Sequence, residues 1–168
     1  TMLPDSPQVE EVILGTKGVL AGAKAGSLII DMSSIAPKTA VKIAAEASQK
    51  GIEMLDAPVS GGEPKALDGT LSIMVGGKEE VFEAAKEILL SMGASALLMG
   101  EIGAGNITKL ANQIMVALHL AAMSEAMVFA EKAGVDSEKV YQAIRGGLAG
   151  STVLDAKMPL ILERNFKP

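Results

Sequence analysis

Two short stretches of this sequence carry residue types that could do chemistry. The first is Ser60-Gly61-Gly62, which follows closely after an apolar segment ending in Asp56. Adjacent glycines expose backbone N–H groups and tolerate positive φ, so together with a serine hydroxyl they could form an anion-binding concavity. The same residues also suit an ordinary turn between two strands, which needs no ligand. Taken alone, the stretch favours the turn.

The second stretch lies about 50 residues further on, where Lys109, Asn112 and Gln113 stand at positions i, i+3 and i+4 of an expected helix. This spacing places a lysine and two amides on one helix face. One interpretation is a solvated stripe at the start of the helix. The other is a ligand site facing the junction between two parts of the fold. His119 is the only histidine. It lies about 15 Å along the helix from Lys109 and on a different face of the helix.

Gly103-Ala104-Gly105 stands between an expected strand and this helix, which is the context of a dinucleotide-binding glycine loop. The third glycine position is occupied by Thr108. The acidic residue about 20 positions on, Glu125, falls inside the helix and not at the end of a second strand. The glycines therefore indicate a hinge entering a helix.

Composition excludes several classes of function. Aromatic residues make up 2% of the chain and its net charge is −5, which disfavours a nucleic-acid partner. The absence of cysteine and the single histidine exclude thiol chemistry and the usual metal sites. No apolar run approaches the ~20 residues that span a bilayer, and the first residues do not resemble a signal peptide. We therefore expect a soluble, cytoplasmic protein without metal, nucleic acid or membrane partners.

The elements that must position these residues follow from hydrophobic periodicity. Up to about residue 100, short apolar strands alternate with amphipathic helices, which predicts a parallel α/β sheet. The strand after the Ser-Gly-Gly stretch could be antiparallel. Strands are predicted at 28–31, 52–56, 71–75 and 96–99, and helices after Pro7, after a Ser33-Ser34 cap, and at 81–92, 105–133, 137–145 and 151–162. The 29-residue segment 105–133 has no internal proline or glycine and is expected to be buried against other helices or another subunit.

Three motifs resemble the β-hydroxyacid dehydrogenase family: DAPVSGG (56–62), GTLSIMVGG (69–77) and GAGNITKLANQ (103–113). The resemblance covers the whole chain. It implies that residues 1–101 are the later part of an NAD(P)-binding Rossmann domain. Residues 102–168 would be an inter-domain helix and the beginning of an all-helical domain. The dinucleotide glycine loop is then expected before Thr1 and a further lysine after Pro168, so the segment alone is expected to be inactive.

The resemblance also implies roles for individual residues. Ser60, Gly61 and Gly62 would hold the substrate carboxylate. Lys109 would be the catalytic general acid, with a pKa lowered by burial. Asn112, and less directly Gln113, would orient the substrate. The nicotinamide half of NAD or NADP would be lined by Leu3, Pro4, Gln8 and Ser34; the choice between the two cofactors is not readable from these residues.

DMSSIAP (31–37) and RGGLAGSTVLDAK (145–157) most resemble the branch of the family that reduces tartronate semialdehyde to glycerate. Two alternatives stay open: a 3-hydroxyisobutyrate or related dehydrogenase, and a non-catalytic Rossmann-like assembly module if the 168 residues are the whole protein. The apolar length of the later helices predicts a homo-oligomer, a dimer or a tetramer.

Overall fold

The computed structural model describes residues 1–166, and the chain forms two compact units. The first is Thr1–Ala111 and the second begins at Asn112. A single continuous helix, Ala104–Lys132, runs through the position where one unit gives way to the other. The domain boundary expected at 101/102 stays a prediction.

The first unit is built on a five-stranded mixed sheet. Its outer parallel pair is aligned with Asp31 beside Asp56 at the carboxyl ends. The second strand of that pair (53–56) and the short segment 59–60 both pair antiparallel with 71–76, which runs parallel to 93–100. This confirms the predicted α/β class and the antiparallel member after the Ser-Gly-Gly stretch. The strands are β1 (Leu28–Asp31), β2 (Glu53–Asp56), β3 (Val59–Ser60), β4 (Leu71–Gly76) and β5 (Gly93–Gly100).

The residues that the structure describes also form eight helices. They are α1 (Ser6–Leu14), α2 (Val19–Gly22), α3 (Pro37–Ser48), α4 (Gly62–Leu67), α5 (Glu79–Leu90), α6 (Ala104–Lys132), α7 (Ser137–Ile144) and α8 (Thr152–Leu162). The longer ones match the predicted helices to within a few residues. The short elements α2, β3 and α4 were not predicted.

Apolar residues cover both faces of the sheet because side chains alternate along each strand. Met54 packs with α1 and α3, while the next residue, Leu55, belongs to the core beneath α5. The α1/α3 core includes Val9, Ile13, Ile43 and Ala47, and the α5 core includes Ile73, Val75, Phe82 and Leu89. Asp56 is two residues beyond Met54, so its side chain leaves the sheet on the α1/α3 face.

Two local predictions are wrong. The Ser33-Ser34 pair does not cap α3, whose N-cap is Ala36 without a side-chain bond; Ser33 instead bonds to the buried Asp31. The Ser-Gly-Gly stretch is not a turn between two strands, because β3 ends at Ser60 and α4 begins at Gly62.

Helix α6 is 29 residues long and contains a stretch long and apolar enough to cross a membrane by length and composition. The prediction that no apolar run approaches that length is therefore wrong for this helix. One such helix is weak evidence for a membrane span, since core helices pass the same test. Only 17% of the apolar stretch is buried within the chain. The other helices of this chain therefore do not provide the burial expected for α6.

The second unit packs α7 and α8 with the later part of α6. Its core consists of Met123, Met127, Tyr141, Leu154 and Met158. Asp155 links α7 to α8, because it accepts a hydrogen bond from the Tyr141 hydroxyl at 3.0 Å and pairs with Arg145 Nε at 3.1 Å.

Candidate active site

The Ser-Gly-Gly stretch is a sharp passage from strand to helix. Gly61 has φ +143° and Gly62 has φ +67°, values that favour glycine. A Cβ atom on Gly61 would lie 2.6 Å from Cβ of Lys65, so a side chain is also excluded there by space. The Ser60 side chain is half-buried and both glycines are exposed. Because the first N–H groups of a helix have no intrahelical acceptor, this turn can offer a hydroxyl and backbone N–H groups to an anion.

A buried carboxylate fixes the start of helix α6 to the sheet. Asp56 is fully buried, and its Oδ1 accepts a hydrogen bond from the Gly103 N–H at 2.6 Å. Its Oδ2 accepts from both the backbone N–H and the side-chain amide of Asn106, at 2.7 and 3.1 Å. Asn106 Oδ1 in turn accepts from the Ile35 N–H at 2.9 Å. The network therefore joins β2, the loop before α3 and the first turn of α6.

Two glycines allow this close approach. A Cβ atom on Gly76 would collide with Asp56 Oδ1 and lie 2.8 Å from the Gly105 nitrogen. A Cβ atom on Gly105 would collide with the Met74 carbonyl oxygen and lie 2.6 Å from that of Asp56. Gly105 therefore faces the sheet with its backbone in contact.

Lys109 lies one helical turn beyond Gly105 and on the same side of α6. Its side chain is half-buried, and burial lowers its pKa below the ordinary lysine value. The lowered pKa agrees with the expectation from sequence. An ammonium group with a lowered pKa donates its proton more readily than that of an exposed lysine.

The Ser60 side chain points to the same face of the sheet as that of Asp56. The path from Asp56 to Ser60 pairs with β4 in one constant register, from Asp56 opposite Gly76 to Ser60 opposite Ser72. Residues four apart in a strand point to the same side. The sheet face that contacts the first turn of α6 thus also carries the Ser60 hydroxyl.

The same network explains why Gly103-Ala104-Gly105 is not a phosphate loop. The N–H groups of Gly103 and Asn106 at the start of α6 already donate to the Asp56 carboxylate. A second anion there would meet a buried negative charge, so the prediction of a glycine hinge is supported.

Asn112 and Gln113 lie on α6 in the second unit. The Asn112 side-chain amide donates to Gln113 Oε1 at 2.9 Å. Asn112 is half-buried and Gln113 is exposed. Their assigned roles stay predictions.

The residues assigned to the cofactor lie around the carboxyl end of β1. The Leu3 N–H donates to Ser33 Oγ at 2.8 Å, and Ser33 Oγ donates to the buried Asp31 carboxylate at 2.6 Å. These bonds fix the Leu3 loop against the loop that carries Ser34. Pro4 and Ser34 are exposed and Leu3 is half-buried, so this edge presents apolar groups and a hydroxyl to solvent. Such a surface at the carboxyl end of a parallel strand fits a nicotinamide ring, whereas Gln8 is an exposed residue of α1.

Asp56 and Asn106 were not singled out from the sequence. The available signal was a strand ending in Asp and a polar residue in the first turn of α6. Their contact spans 50 residues, and neither signal names the partner.

Comparison with known proteins gives the class of the molecule. A family model described as the NAD binding domain of 6-phosphogluconate dehydrogenase matches residues 1–105. A second, described as NAD-binding of NADP-dependent 3-hydroxyisobutyrate dehydrogenase, matches residues 103–168. Sheet, long helix and matches together define a Rossmann-type NAD(P)-binding dehydrogenase segment. The chain belongs to the β-hydroxyacid dehydrogenase family.

Individual relatives agree with this assignment. The chain is 47% identical to 2-hydroxy-3-oxopropionate reductase of Escherichia coli (strain K12), over 99% of this chain and 57% of that protein. It is 40% identical to 2-(hydroxymethyl)glutarate dehydrogenase of Eubacterium barkeri, over 94% of this chain and 52% of that protein. The solved structure of Mycobacterium tuberculosis 3-hydroxyisobutyrate dehydrogenase with L-serine has a TM-score of 0.88 at 33% identity, covering 100% of this chain and 59% of that one. The chain thus spans somewhat more than half the length of these relatives.

Proposed function

We propose that the protein containing this chain reduces 2-hydroxy-3-oxopropionate (tartronate semialdehyde) to glycerate with NADH or NADPH. The observation that carries the proposal is the placement of Lys109. It is half-buried with a lowered pKa, on a helix that Asp56 fixes over the sheet face bearing Ser60.

Each residue has a defined task in this reaction. Ser60 and the N–H groups at Gly61 and Gly62 bind the substrate carboxylate. The Lys109 ammonium stabilises the negative charge that develops on the aldehyde oxygen and donates the proton that completes the alcohol, becoming a neutral amine. Asn112, one turn beyond Lys109, orients the substrate, with Gln113 supporting it through their hydrogen bond.

The nicotinamide cofactor supplies the hydride that reaches the aldehyde carbon. Leu3, Pro4 and Ser34 would line its nicotinamide half, with Gln8, an exposed residue of α1, as the fourth candidate. Support comes from the hydrogen bonds that fix the Leu3 and Ser34 loops together and from the two NAD-binding family models.

The compounds in the relatives' names share one chemical plan. Reduction of 2-hydroxy-3-oxopropionate gives glycerate, and glycerate, 3-hydroxyisobutyrate, L-serine and 2-(hydroxymethyl)glutarate are all 3-hydroxypropionates that differ in the group on C2. Their common parts, a carboxylate and an oxygen on C3, are the parts that Ser60-Gly61-Gly62 and Lys109 would bind. The identity to the E. coli reductase favours a hydroxyl on C2 for this protein.

A 3-hydroxyisobutyrate dehydrogenase is the second candidate, favoured by the structural similarity to the M. tuberculosis enzyme. The test compares kcat/KM for 2-hydroxy-3-oxopropionate with kcat/KM for 2-methyl-3-oxopropionate, in which a methyl group replaces the C2 hydroxyl. Both are measured in the full-length protein, with NADH and with NADPH. Higher kcat/KM for the hydroxylated aldehyde supports the reductase. Higher kcat/KM for the methyl compound favours the second candidate, and turnover of neither supports a non-catalytic assembly module.

A further inference from the structure

Strand β4 carries a second hydroxyl beside the Ser-Gly-Gly turn. Ser72 is directly opposite Ser60 in the antiparallel register of β3 and β4. Side chains in such a pair leave the same face of the sheet, with Cβ atoms about 5 Å apart. The two hydroxyls are therefore neighbours.

Ser72 lies on the face of β4 that does not pack into the α5 core. Leu71, Ile73 and Val75 are buried, whereas Ser72 and Met74 between them are half-buried. The α5 core takes the three buried residues. Ser72 therefore points away from that core, toward the face that carries Ser60.

The first turn of helix α6 lies against this same face. Gly105 has its backbone against the Met74 and Asp56 carbonyl groups, and Lys109 lies about 6 Å further along the helix on the same side. A 3-hydroxypropionate with its carboxylate at Ser60 and its C3 oxygen at Lys109 has C2 between the two. Ser72 is the side chain paired across the sheet from Ser60, at one strand spacing.

We propose that the Ser72 hydroxyl binds the substituent on C2 of the substrate and selects a polar group there. This rests on the proposed function and adds the residue that distinguishes the related acids. A serine hydroxyl can donate to or accept from a C2 hydroxyl. A C2 methyl group makes no such bond, so removal of the serine hydroxyl should not weaken binding of a substrate with a methyl group on C2.

The test uses oxidation of glycerate and of 3-hydroxyisobutyrate by the full-length protein, because these acids differ only in a hydroxyl or a methyl on C2. Ser72→Ala is expected to lower kcat/KM for glycerate about tenfold and to leave that for 3-hydroxyisobutyrate within about twofold. Ser72→Thr, which keeps a hydroxyl, should retain most of the preference for glycerate.

A matched control lies one strand further on. Ser95 is the partner of Ser72 on β5, about 10 Å from Ser60 by two strand spacings, so Ser95→Ala should change neither activity. Equal losses for both acids in Ser72→Ala, no loss for either, or the same loss in Ser95→Ala would each overturn the assignment. A wild-type protein that oxidises neither acid overturns the proposed function itself, and the Ser72 assignment with it.

Discussion

Replacing Asp56 with asparagine separates the fixing of helix α6 from the chemistry of Lys109. The Asp56 carboxylate accepts backbone hydrogen bonds on both oxygens, from Gly103 at 2.6 Å and from Asn106 at 2.7 Å. Asparagine has one acceptor oxygen, so one buried N–H group would face an amide NH₂ instead of an acceptor.

The loss of stability follows from those two bonds. Hydrogen bonds to a charged acceptor contribute about 1.5–3 kcal/mol each, and a single neutral bond restores about 1 kcal/mol. The free energy of unfolding should therefore fall by about 2–5 kcal/mol, a large part of the 5–15 kcal/mol typical of a domain. Urea denaturation followed by circular dichroism measures this change.

The effect on catalysis should appear in kcat. A displaced start of α6 moves Lys109 relative to Ser60, and a displacement of about 1 Å can lower a rate about 100-fold. The Kd of the cofactor should change less than kcat does, because the bonds that fix the Leu3 and Ser33 loops run to Asp31.

Asp31→Asn is the matched control, since Asp31 is an equally buried aspartate at the end of the neighbouring strand. Asp31 holds the loops around Leu3 and Ser33, so this variant should raise KM for the cofactor more than it lowers kcat. If folded Asp56→Asn lowers kcat no more than Asp31→Asn does, Asp56 does not position Lys109.

Three further predictions concern single groups of the site. Ser60→Ala should raise KM for the acid substrate about 10- to 100-fold with cofactor affinity unchanged, and Ser60→Thr should recover part of the loss; a change confined to cofactor affinity would show that the carboxylate binds elsewhere. In the pH profile, aldehyde reduction should need protonated Lys109, so kcat should fall as pH rises through a pKa below the ordinary lysine value, and alcohol oxidation should rise through the same pKa; a limb that persists in Lys109→Met belongs to another group. Gly105→Ala should destabilise the fold by about 1–3 kcal/mol because its Cβ meets two carbonyl oxygens. Gly22→Ala, which has open space, should change stability by less than about 1 kcal/mol, and equal effects of the two glycine substitutions would contradict the close packing of α6.

Much of the fold is readable from local pattern. β1 and β2 are short apolar runs ending in Asp, and α6 has no proline or glycine after Gly105, so both signals are carried by neighbouring residues. The strand-to-helix turn after Ser60 was missed because Gly61-Gly62 suits several turns. The helix there is indicated only by Pro64, which tolerates a first turn, and by Glu63.

The site itself is less accessible to sequence reasoning. The spacing of Lys109 and Asn112 gives a helix face but not what that face meets. The partners of Asp56 lie 47 and 50 residues away, and the pairing of Ser60 with Ser72 depends on the antiparallel register of β4. These relations come from tertiary structure, so Asp56, Asn106 and Ser72 acquire their meaning only once the chain is folded.

The general-acid role of Lys109 is tested most directly by the turnover of 2-hydroxy-3-oxopropionate with NAD(P)H by full-length wild-type protein and by Lys109→Met, with cofactor binding measured in both. Lys132→Met, at the exposed far end of the same helix, is the control. If Lys109 is the general acid, the wild-type and control proteins turn the substrate over, and kcat is lower by about 10²- to 10⁴-fold in Lys109→Met with cofactor Kd unchanged. Near-normal turnover by Lys109→Met would contradict it.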